Sequence, residues 1–171
     1  MIDFKTIIWL LPLIFMLHDF EEIIFFKSWI TKNREELSTR FPKLAKRFLA
    51  RFEKVSVQGF TIAVAEEFVL LSVITVTAIL FESYLLWLGV FMGFFIHLLV
   101  HLFQWIILRR YIPAIYTTVI SLVYCFFAMN FILKNNLFEI KEIVIWSFIG
   151  FGVMAVNLIF AHKLGERFEE K

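Results

Sequence analysis

The chain carries one cysteine, three prolines and six glycines in 171 residues, and only 19% of it is charged. The lone thiol, Cys125, excludes a disulfide framework and any thiolate metal site built from one chain. A cleavable signal peptide is not expected either. The first apolar run is too long for one, has no basic leader and carries acids in its second half. Aromatic residues are not interleaved with bases as stacking platforms, so nucleic acid is not an expected partner. What fills the chain is apolar residues, 61% of the total and arranged in long runs, which places it among integral membrane proteins.

A membrane crossing needs about 20 apolar residues. Five runs meet that length, near 6–27, 57–81, 85–108, 113–133 and 142–162. The expected fold is therefore a single all-α membrane domain, a bundle of five transmembrane helices, with Pro12 kinking or bending the first. Nine of the seventeen basic residues fall between the first two runs, from Lys27 to Lys54. By the positive-inside rule that segment is cytoplasmic. Arg109 and Arg110 mark the third connection as cytoplasmic too, and Lys163, Arg167 and Lys171 put the C-terminus inside, which leaves the N-terminus outside. The expected location is the inner, cytoplasmic membrane. Within the cytoplasmic loop 31–56, Leu37, Phe41, Leu44, Phe48, Phe52 and Val55 recur at helical spacing with bases between them. This predicts an amphipathic helix over 41–55 lying on anionic lipid. A solvated connector accounts for the same charges.

Polar residues inside the spans are the candidates for function. His18-Asp19-Phe20-Glu21-Glu22 interrupts the first span. Residues three and four apart share a helix face, so His18 is expected beside Glu21 and Glu22, with Asp19 pointing elsewhere. The second span carries Glu66 and Glu67, the third His97 and His101, and the fifth Asn157 and His162. Counted from the cytoplasmic end of each span, His18 and Glu66 lie roughly 13 Å deep, His97 roughly 16 Å, His101 roughly 10 Å and Glu22 roughly 7 Å. Three helices thus bring histidines and glutamates to one layer. Each ionised group there costs roughly 3 kcal/mol, and a metal, a proton partner or a catalytic task offsets such a cost.

Facing helices that carry histidine and carboxylate at helical spacing build metal sites in bundles. A divalent ion, iron, zinc or manganese, is the expected cofactor, and the ligand types do not choose among them. The expected ligands are His18, Glu22 and His101, with Glu66 and His97 completing one or two metal positions. Glu21 is a further ligand or the base, and Glu21 and Glu66 are the candidate catalytic residues. The expected substrate is membrane lipid or another hydrophobic small molecule. Iron would point to acyl-chain oxidation and zinc to hydrolysis. Other readings remain open: a metal-free glutamate-based intramembrane hydrolase, a proton or cation transporter, and a structural subunit held by Glu–His pairs. Two familiar patterns are missing. His97-x-x-x-His101 lacks the glutamate that zinc proteases place after the first histidine, and no base follows Glu66-Glu67 closely. A shared site requires the His18 and His101 rings within about 10 Å of each other, because metal ligands sit roughly 2 Å from the ion. Glu67 and His162 are expected to be structural. Gln104 is expected to support the site from behind His101. The run Arg109–Ala114 reads as a tight turn whose proline opens the next span, or as a lid binding an anionic headgroup.

His18-x-x-Glu21-Glu22 in a first membrane helix resembles the signature of the HXXEE family, small bacterial membrane proteins of uncharacterised function. That family pairs the motif with a later histidine and a Tyr-x-Pro-Gly turn. His101 followed by Tyr111-Ile112-Pro113 matches this arrangement, and Ala114 stands where the family has glycine. The resemblance covers the first three spans and the turn. It implies a multi-pass membrane protein, suspected by motif to be a metalloenzyme, with no assigned substrate.

Overall fold

The structure, a computed structural model, describes residues 3–43, 45, 46, 49 and 55–169. Five long helices account for nearly all of them: α1 (Phe4–Arg40), α2 (Val57–Leu80), α3 (Leu85–Leu108), α4 (Ile115–Lys134) and α5 (Ile140–Glu169). No strand occurs among the described residues. The all-α architecture is as expected. Helices α2 to α5 are long and apolar enough to cross a membrane. Their outward faces are apolar as well, with Phe103, Val123, Phe126, Phe148 and Val156 all more than half exposed. A water-soluble bundle would not present such a surface.

Helix α1 differs from the sequence reading. It begins where the Asp3 carboxylate accepts from the Thr6 amide at 2.7 Å, and it is continuous through Pro12. The hydrogen bonds to Thr6 hold the Asp3 carboxyl below the usual carboxylate range. The helix then runs on past residue 27 to Arg40, 37 residues in all. At roughly 1.5 Å per residue, it is longer than a hydrocarbon core of about 30 Å is thick. It stops because Phe41 precedes a proline, a position that disfavours helical backbone; Phe41 adopts φ −134° and ψ 60°. Pro42 then starts a further helical stretch that includes Lys43, Ala45, Lys46 and Leu49. Of the amphipathic helix expected over 41–55, the other positions up to 54 lie outside the described residues. Ala45, Leu49 and Val55 are buried in the core.

Glycines set the helix packing. Helix α5 packs against α3 and α2. A Cβ at Gly150 would overlap the carbonyl of Gly89, and one at Gly93 would stand 3.0 Å from the carbonyl oxygen of Gly150. A Cβ at Gly165 would likewise overlap the carbonyl of Gly59. Small residues at these crossings let the backbones touch, the usual way membrane helices associate. Helix α4 packs on the opposite side of the bundle, against α1 and α3. Ile7, Ile8, Leu11, Trp87, Phe91, Cys125 and Ile132 fill that interface and are fully buried. The backbones of α1 and α3 themselves approach closely at few points. The space left between α1, α2, α3 and α5 is a cavity of about 560 Å³.

Candidate metal centre and its cavity

His97 and His101 stand one helical turn apart on α3, and His18 reaches them from α1. The ring centroids of His18 and His101 are 5.1 Å apart, those of His18 and His97 5.3 Å, and those of His97 and His101 4.5 Å. His97 Nε2 lies 3.4 Å from His18 Nε2 and 3.0 Å from His101 Nε2. All three rings offer ligand atoms within 4.8 Å of one another. His18 is fully buried and His101 is 8% exposed.

This convergence suits a cation. A neutral imidazole nitrogen carries either one proton or one lone pair, so His97 Nε2 cannot make two good hydrogen bonds of the same sense. Three lone pairs turned to one ion remove the conflict. In a tetrahedral site with metal–nitrogen bonds of about 2.0–2.1 Å, ligand nitrogens stand roughly 3.3 Å apart. The two Nε2 separations bracket that value. Glu22 Oε1 sits 3.2 Å from His101 Nε2, beside the same group.

The other expected site residues go elsewhere. Glu21 turns toward α4. Its Oε1 accepts from the Tyr111 hydroxyl at 2.9 Å, and its Oε2 accepts from the Thr117 amide at 2.8 Å and the Thr117 hydroxyl at 2.7 Å. Thr117 lies in the first turn of α4, whose amides have no partner within the helix, so Glu21 caps α4 from a neighbouring helix. Burial first, and then the bond to Glu21, push the Tyr111 hydroxyl above the ordinary tyrosine pKa. Glu66 accepts from Asn157 Nδ2 at 3.1 Å, tying α2 to α5.

Asp19 corrects the sequence reading most clearly. It was expected to point away, yet it is 4% exposed and lines the cavity with Glu22, Glu67, His97 and His101. Helical geometry contains the signal. At roughly 100° per residue, Glu22 falls between His18 and Asp19, and Glu21 falls on the far side of His18. Glu67 and His162, expected to be structural, also line the cavity, as does Gln104.

The turn between α3 and α4 is strapped to α1. Trp29 Nε1 donates to the Tyr111 carbonyl at 2.7 Å, and Arg40 donates to the carbonyls of Ile107 and Leu108 at 2.9 and 3.2 Å. Arg110 pairs with Glu36 and donates to Asn33 at 2.7 Å. Ala114 takes the left-handed conformation, φ 67° and ψ 4°, at the head of α4. The turn thus carries out a glycine's task with an alanine. Its neighbours Ile112 and Pro113 line the end of the cavity, together with Leu37, Phe41 and Leu108.

The family model described as a protein of unknown function with HXXEE motif matches residues 9–129. That span holds His18, Glu21, Glu22, both α3 histidines and the strapped turn. No curated protein matches the chain, and no solved structure matches it.

Proposed function

The chain belongs to the HXXEE family, and we propose that it is a membrane-embedded, metal-dependent enzyme acting on a lipid or other hydrophobic substrate. One observation carries this reading: of three histidines with ligand atoms within 4.8 Å of one another, His97 and His101 line a largely apolar cavity of about 560 Å³ and His18 stands directly behind them. A cavity of that volume suits a small hydrophobic ligand.

His18, His97 and His101 would hold a single divalent ion. Such an ion supplies Lewis-acid polarisation of a bound ester or amide and eases loss of a proton from water. Glu22, beside His101, holds that proton and returns it to the leaving group. Glu21 fixes the turn at Tyr111 and thereby the register of α1 against α4. Hydrolysis is the reaction this set serves best, because one ion on three histidines would polarise the substrate and Glu22 beside His101 would take up a proton. Phe15, Ile74 and Val90 form the apolar walls at one end of the cavity, where the hydrophobic part of the substrate lies.

We place α1 in the membrane as the fifth span, with the N-terminus outside and the C-terminus in the cytoplasm, at the inner membrane. Support comes from the length of α1, the apolar residues on either side of its acids, and the distribution of lysine and arginine. The cavity end near Leu37, Phe41 and Leu108 then opens toward the cytoplasmic leaflet.

Elemental analysis of the purified protein tests the metal reading. About one equivalent of zinc, iron or manganese per chain is expected, with loss of that metal in a folded His101→Ala variant. Native protein that takes up no metal, even on reconstitution, would overturn it.

A further inference from the structure

We propose that the cavity binds an amphiphile bearing one positive charge, an amine or ammonium group on a hydrocarbon chain. This rests on reading the cavity as a substrate site and names the class of its ligand. Asp19 and Glu22 of α1 and Glu67 of α2 line one cavity. A group of acids alone would say little. Asp19, however, is 4% exposed, and its Oδ2 is buried without a hydrogen-bond partner. Leaving such an atom unmatched is costly, so a donor is missing from its surroundings.

The protein does not provide the missing charge. Among the described residues that line the cavity there is no lysine and no arginine. An ammonium group supplies both a positive charge and the hydrogen-bond donors that Asp19 lacks. Its surroundings are aromatic as well. Phe15 and Phe94 pair on one side of the acids, with centroids 5.9 Å apart, and Phe26 and Phe60 on the other, at 4.5 Å. Ring faces attract an organic cation and also accommodate its hydrocarbon chain.

The test compares four probes of equal chain length on the full chain in a neutral detergent: dodecylamine, dodecanol, dodecanoate and dodecylphosphocholine. The amine is expected to bind roughly tenfold or more tightly than the alcohol, the scale of a charge-assisted hydrogen bond. Asp19→Asn and Glu67→Gln keep side-chain shape and should remove the difference in affinity between the amine and the alcohol. An amine that binds no better than the alcohol in the native chain would overturn the proposal, and that comparison needs no variant to fold. So would a carboxylate or phosphocholine probe that binds as tightly as the amine. Two metal equivalents per chain, falling to one in Asp19→Asn, would also overturn it in favour of a two-ion centre. The His101→Ala variant separates the two readings: it should lose metal and keep the amine preference.

Discussion

Ala114 holds φ 67° with a buried side chain, and a left-handed residue other than glycine costs roughly 1–2 kcal/mol. Its place in the turn explains why the strain is kept. The turn must deliver Tyr111 and Thr117 to Glu21, and three hydrogen bonds to that carboxylate lock it. Ala114→Gly should therefore raise the thermal midpoint in detergent, by about 1 kcal/mol of stability. An unchanged or lowered midpoint would mean that the alanine methyl contributes more by packing than the strain costs. The two adjacent glutamates of the motif thus have different physical tasks. One fastens α1 to the head of α4, and the other faces the histidines. Adjacent helical residues point roughly 100° apart, so the pair could not serve one site together.

At the scale of the helix, the crossings are set by glycine. Gly150 and Gly152 lie on the same helix, and their surroundings predict opposite outcomes. A methyl group at Gly150 meets the backbone of α3, while one at Gly152 meets nothing within 4 Å. Gly150→Ala should destabilise the protein by about 1–3 kcal/mol, as overpacking does, and should spread α3 from α5 along the cavity. Gly152→Ala should be neutral or stabilising by up to about 1 kcal/mol, through helix propensity alone. Melting curves of both variants in one detergent check the contrast, and equal effects would contradict the close crossing. The length of α1 also belongs at this scale. Apolar content marks where a helix can enter lipid, but only a stop signal marks where it ends. Here the stop is Phe41-Pro42, well past the end of the first apolar run, so the helix extends to brace the α3–α4 turn through Trp29, Asn33, Glu36 and Arg40.

For the whole molecule, the proposed orientation is tested by single cysteines placed in a Cys125→Ala background, where the native thiol is fully buried. Cysteines at Glu82 and Asn136 should react with a membrane-impermeant reagent from outside, and one at Arg109 only after permeabilisation. The reverse pattern would invert the topology, and labelling of Glu82 and Asn136 from opposite sides would reject the five-span arrangement. The sequence by itself determined the all-α class, the membrane setting and the common depth of His18, His97 and His101, because apolar run length, helical rise and i, i+4 spacing are local properties. The tertiary structure alone decided that the three rings meet and which carboxylates lie beside them. Glu66 or Glu67, and Glu21 or Asp19, reach the cavity according to how each helix is rotated about its axis. That rotation is set by contacts distant in the chain, Gly89 with Gly150 and Glu21 with Thr117, which no local pattern records.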